Sequence, residues 1–117
     1  MIIAGKERVV KKIKFDILWS ETFYSCTSRT VNGWCIGDVS GLGIYRSKNT
    51  LNSWHVTHLA SGKRIDRFGF LTRKDAIVYV LRLKEVPWEL NSDDVVEWLS
   101  SHEHLRKIVI QSRDRAL

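Results

Sequence analysis

Proline occurs once in this chain, methionine once and cysteine twice. Two cysteines, Cys26 and Cys35, are too few for the disulfide framework of a small secreted domain. No stretch approaches the ~18 apolar residues that a membrane span requires. Residues 1–14 carry their charges inside the apolar stretch rather than ahead of it, the wrong order for a signal peptide. Low-complexity tracts, internal repeats and linkers are missing as well. These absences lead to the expectation of a soluble, cytoplasmic, single-domain protein without a membrane partner.

What is present suits that expectation. The chain has 117 residues, 44% of them hydrophobic and 27% charged. A domain of this size hides about two thirds of its unfolded surface, so a core can form without metal or disulfide. The net charge is +6, and it is unevenly placed. Residues 1–84 hold 15 basic and 6 acidic side chains, whereas residues 85–117 hold 4 basic and 7 acidic ones. A basic body with a mildly acidic C-terminal part suits contact with a polyanion through the first part.

Strict alternation is clearest over Lys12–Trp19, with Ile13, Phe15, Ile17 and Trp19 on one face. Ser20-Glu21 reads as a short turn, and β-formers continue from Thr22 to Val31. Asn32-Gly33 then carries the strongest short hairpin signal, predicting that Trp34–Val39 returns as the partner strand. The glycines at 37, 41 and 43 suggest a bend before Ile44 and Tyr45. Residues 54–60 alternate again, Ser61-Gly62 is a second tight turn, and Arg64–Leu71 reads as the answering strand. Thr72 can cap a helix with Asp75 three residues on, and Asn91 can cap a second helix over Ser92–Ser101. Residues 105–110 fit a helix better than a strand, and 111–117 are expected to fray. The fold class expected is α+β: a mostly antiparallel sheet of about five strands, with two C-terminal helices packed on one face. The sheet-rich basic part spans 1–71 and the helical part 72–110.

Signatures of catalysis are sparse. His55 and His58 fall on opposite faces of a strand, and His102 and His104 diverge on a helix, so neither pair can chelate an ion; all four are expected to be solvated or capping. Cys26 and Cys35 lack a Cys-x-x-Cys pattern and read as small buried thiols. Gly41-Leu42-Gly43 lacks both the third glycine of a dinucleotide fingerprint and the Lys-Ser/Thr ending of a phosphate loop. The chain is therefore read as a non-enzyme needing no cofactor and no metal. Trp19, Trp34 and Trp98 lie on inward stripes and read as core, while Trp54 could be a core anchor or a stacking platform.

The informative segment runs from Tyr45 to Leu83. Arg46 and Lys48 border one arm, Lys63, Arg64 and Arg67 cluster on the turn and the arm after it, and Arg73 and Lys74 begin the helix. Strand alternation puts Arg64 with Phe68 and Phe70 on the packed face and leaves Arg67 as the contacting arginine. Within this segment, Tyr45-Arg46, Trp54-His55-Val56, Gly62-Lys63-Arg64, Phe68-Gly69-Phe70-Leu71-Thr72 and Asp75-Ala76 occur in order. The pattern resembles the three-strand-plus-helix DNA-binding domain of plant ethylene-response factors and is similar to the arm-binding domains of phage tyrosine integrases. The helix departs from that pattern, with Ile77, Val78 and Val80 where those families prefer alanine. The resemblance implies a sheet that enters the DNA major groove, with Arg46, Trp54, Arg64 and Arg67 in contact with bases or phosphates.

The functional expectation is a small nucleic-acid-binding protein, duplex DNA before RNA, with Arg46, Lys48, Trp54, Lys63, Arg64, Arg67, Arg73 and Lys74 as its contact residues. The alternative is a protein-interaction module, an inhibitor or accessory subunit, that uses a sheet edge or the C-terminal helix. A homodimer through the edge of residues 12–19 is compatible with both.

Overall fold

The structure is a computed structural model that describes residues 10–22, 25–37, 39–47, 53–66 and 69–114. Among these residues the order is β1 (Val10–Thr22), β2 (Ser25–Ile36), β3 (Val39–Arg46), β4 (Trp54–His58), α1 (Arg73–Arg82), α2 (Ser92–Ser100) and α3 (Glu103–Asp114). The class is α+β, as expected. The strands form one antiparallel sheet in the order β1-β2-β3-β4, and α1 packs on β3 and β4.

The first hairpin differs from its sequence reading. Asn32-Gly33 is not a turn but lies inside β2, where Lys14 pairs with Asn32 and Ile13 with Gly33. Ser20-Glu21 is not a turn either; β1 runs through it with a register shift between Ser20 and Thr22. The chain instead reverses into β3 between the paired Ile36 and Val39. Packing explains why Gly33 is a strand residue: a Cβ there would overlap the Ile44 carbonyl oxygen and the Phe15 ring, and Phe15 crowds Gly43 in the same way. The two glycines give up their side chains so that one aromatic ring can lie across β2 and β3.

Directly paired residues project to the same side of a sheet. Ile13, Gly33, Tyr45 and His55 therefore form one row, and Lys12, Trp34, Ile44 and Val56 form a neighbouring row on the opposite face. The second face carries the main core. Leu42, Ile44 and Val56 pack there against Ala76, Tyr79, Val80 and Leu83, with Val86, Trp88, Val95, Leu99 and Leu105 extending the cluster. The first face holds Phe15, Ile17 and Tyr45 and is partly closed by the chain itself. The Leu18 N–H donates to the Gly62 carbonyl at 2.9 Å, so the outer edge of β1 meets the turn after β4 and the sheet curls.

The expected fifth strand is irregular. Backbone bonds join His58 to Lys63 (2.8 Å), Val56 to Ile65 (2.9 Å) and Trp54 to Phe70 (3.0 and 2.8 Å). Two residue steps on β4, from Val56 to Trp54, thus match five on the returning segment, so the pairing is not continuous. Where the ladder fails, the Asp66 side chain turns inward and its Oδ1 accepts the Val56 N–H. Alternation cannot be applied across such a break, and the face assignment of Arg64 fails with it: Arg64 is exposed rather than packed on the apolar face.

The helices begin where their caps predict. Thr72 Oγ1 accepts from Asp75 N at 3.1 Å, and Asn91 Oδ1 accepts from Asp94 N at 2.9 Å. Three helices replace the expected two, because the chain breaks at residues 101–102 before α3 begins. Residues 105–110 are helical, and α3 continues to Asp114, beyond the point where fraying was expected. Trp88 was not identified from the pattern, yet it is 2% exposed and its Nε1–H donates to the Leu83 carbonyl. Trp98 is only half-buried and stacks on His102 at 3.6 Å, while the Trp19 side chain lies outside the described residues. The thiol of Cys35 is half-buried and free. The Cys26 side chain lies outside the described residues.

Urea denaturation checks this packing. Trp88→Ala should cost about 3–5 kcal/mol, and Trp98→Ala clearly less. Gly33→Ala should cost about 1–3 kcal/mol through overpacking against Phe15. A Gly33→Ala protein as stable as the parent would show that the ring does not cross β2 there.

Candidate nucleic-acid interface

The row geometry brings together residues far apart in sequence. Trp34 on β2 and Trp54 on β4 lie on the helix-side face, and their rings meet across β3 at 5.4 Å. Arg46, opposite Trp54 on β3, places its guanidinium 5.7 Å from the centre of that ring. Arg73, the first residue of α1, places its own guanidinium 5.3 Å from Trp34. Two indoles in contact, each covered by an arginine, thus form a patch where α1 starts. Lys74 follows in the first turn of α1 and is exposed. Lys12 is paired with Trp34 and Lys14 lies two residues on, both on this face and both exposed.

A guanidinium over an aromatic face contributes ~0.5–1 kcal/mol at an exposed site. It also restricts the arginine to a few rotamers while leaving N–H groups to project outward. The arrangement can therefore present fixed cationic donors to an anion, flanked by freer lysine ammonium groups.

Of the contact residues expected from sequence, Arg46, Trp54 and Arg73 meet here, with Lys74 beside them. Lys63 and Arg64 do not. They lie beside the other end of β4, Arg64 bridged to Thr57 and Lys63 bonded to His58, which is four residues or ~13 Å along the strand from Trp54. Lys48 and Arg67 lie outside the described residues. Trp34, Lys12 and Lys14 were missed. The alternation of residues 12–14 did place both lysines on the polar side, but the misplaced hairpin at Asn32-Gly33 concealed that Trp34 is their neighbour. The groove-facing geometry implied by the ethylene-response-factor resemblance also differs, since Arg46 and Trp54 project to the same side as α1.

A second polar cluster lies on the opposite face. His55 Nδ1 is 3.1 Å from Asp66 Oδ2, and Arg64 Nε donates to the Asp66 carbonyl at 2.8 Å. Both His55 and His58 are buried, contrary to the expectation of solvated or capping rings. His58 Nε2 lies 2.8 and 2.7 Å from the carbonyls of Trp88 and Leu90, so it carries the proton, and Nδ1 accepts from Ser61 Oγ. This imidazole fastens the α1–α2 connection to β4. Burial raises the Tyr45 hydroxyl above its ordinary value; nearby Arg64 opposes the shift and Asp66 adds to it. Among the described residues, no three His, Cys, Asp or Glu side chains converge as metal ligands, and no helix is long and apolar enough to cross a membrane.

Two measurements test this cluster. Asp66→Ala removes the acceptor of a buried N–H and the partner of His55, and should cost about 2–3 kcal/mol in urea denaturation. The Tyr45 shift has a definite sign. Its unfolded form ionises first, so stability should fall as pH rises above ~10 and until the folded phenol ionises as well. Tyr45→Phe should flatten that decline in a melting series.

No protein family, characterised protein or solved structure matches this chain.

Proposed function

We propose that this chain binds nucleic acid, duplex DNA in the first instance, through the patch formed by Arg46, Trp54, Trp34 and Arg73 with Lys12, Lys14 and Lys74 around it. The observation that carries the reading is the pair of guanidinium-covered indoles on one exposed rim. The ring faces turned to the arginines are occupied, so the tryptophans act by holding the cations rather than by stacking on bases. That favours phosphate contact along a duplex over stacking with a single strand. The net charge of +6, concentrated in the part of the chain that builds the patch, supports the same partner.

The rival reading has its own observation. On α2 the exposed Val96 sits among Asp93, Asp94 and Glu97, an apolar and acidic surface suited to a basic protein partner.

Salt titration of duplex binding separates the two. Log affinity should fall linearly with log salt, with a slope corresponding to roughly 4–6 phosphate contacts. Replacing Arg46 and Arg73 with alanine should weaken binding about tenfold or more and reduce the slope by about 2. The same treatment of Lys63 and Arg106, on another part of the surface, should change little. Salt-independent affinity, or a larger loss from the Lys63/Arg106 pair, would overturn the proposal and favour the protein-interaction reading.

A further inference from the structure

A cleft of about 510 Å³ opens between the turn after β4 and helices α2 and α3. Ile65, Val95, Val96, Leu99 and Val109 supply apolar lining, beside His58, Ser61 and Ser92. Its charged rim is unbalanced: Lys63, Arg64 and Arg106 stand against a single acid, Asp93. Among the described residues, neither Lys63 nor Arg106 forms an ion pair, because the two bridges there join Asp66 to His55 and to Arg64. Asp93 sits in the first turn of α2, where the helix dipole already offsets its charge. Val96 is 67% exposed in this setting, so a large apolar side chain faces solvent beside two unpaired cations.

We propose that this cleft binds a small anionic amphiphile, a carboxylate carried on an apolar body, with Lys63 and Arg106 receiving the carboxylate. The size falls in the range of small-molecule sites, and a mostly apolar lining with a few polar groups is their usual make-up. Charge complementarity selects the head group, since the cations exceed the acid and Lys63 and Arg106 are not engaged elsewhere. The apolar walls select the body: Val95, Leu99 and Val109 supply a surface that a compact inorganic anion could not cover. His58 in the lining is already bonded on both ring nitrogens, one of them to Ser61, so the ligand need bring no donor or acceptor for that ring. This site is separate from the tryptophan patch and does not depend on it.

The test uses sodium decanoate below its micelle threshold, with decyl glucoside as the uncharged analogue, both titrated calorimetrically into the full chain. Decanoate should bind at one site per chain and at least about tenfold more tightly than the glucoside. Replacing Lys63 and Arg106 with alanine, both exposed, should remove that advantage while leaving the melting temperature unchanged. Val96→Glu should abolish decanoate binding by placing a like charge in the cleft. Replacing Arg46 and Arg73 with alanine should leave decanoate binding intact even if nucleic-acid binding is lost, so failures of the two proposals are distinguishable. Equal affinity for decanoate and decyl glucoside, no binding of decanoate, or full retention of binding by the Lys63/Arg106 variant would each overturn the proposal.

Discussion

One carboxylate completes the pairing of β4 where the returning segment leaves the ladder. Asp66 turns its side chain into the place where a backbone carbonyl would continue the ladder, accepting the Val56 N–H with one oxygen and engaging His55 with the other. The segment after β4 can therefore break from the ladder without leaving a buried donor unpaired, which would cost about 1–3 kcal/mol. Two placements follow from that break. At its start, the turn at Gly62 is held against Leu18 of β1, which draws the two edges of the sheet together. At its end, Phe70 returns to Trp54 and packs on Tyr79, so that Thr72 caps α1 and Arg73 arrives over Trp34.

The patch at the start of α1 is thus a product of three separate connections. Trp34 comes from the first hairpin, Arg46 and Trp54 from the second, and Arg73 from the helix that follows the break. Each indole is partly buried and has a guanidinium over its ring, which restricts the arginines without neutralising them. A cation held by an aromatic face keeps its charge and loses less rotamer freedom on meeting an anion than a freely solvated one does. Lys12 and Lys14 extend the charge along β1, exposed on the same face as Trp34.

Two basic regions emerge where the sequence suggests one. Arg46 and Lys63 are 17 residues apart in a segment that reads as a continuous cationic hairpin, but β4 separates them by its length. The Trp54 end meets α1, and the His58 end meets α2 and α3. The same strand therefore serves two surfaces of different chemistry, aromatic and cationic at one end, aliphatic with a cationic rim at the other.

Much of the architecture is legible in local pattern. Period-two alternation over residues 12–18 and 54–58, the Thr72 and Asn91 caps and the Ser61-Gly62 turn are short-range features whose physics is contained within a few residues; only the alternation expected to run on to Ala60 stops early, at His58. The class and the order of sheet before helices follow from them. Asn32-Gly33 misled because a hairpin signal and a glycine left bare for a packed ring look identical in sequence; only the position of Phe15, 18 residues earlier, distinguishes them. Lys63 and Arg64 left the site because they pair with His58 and Thr57, at the end of β4 away from Trp54. Local backbone preference determined where the chain extends, turns and coils. Tertiary packing decided which side chains share a surface, because that depends on register across strands and on buried groups finding partners far along the chain.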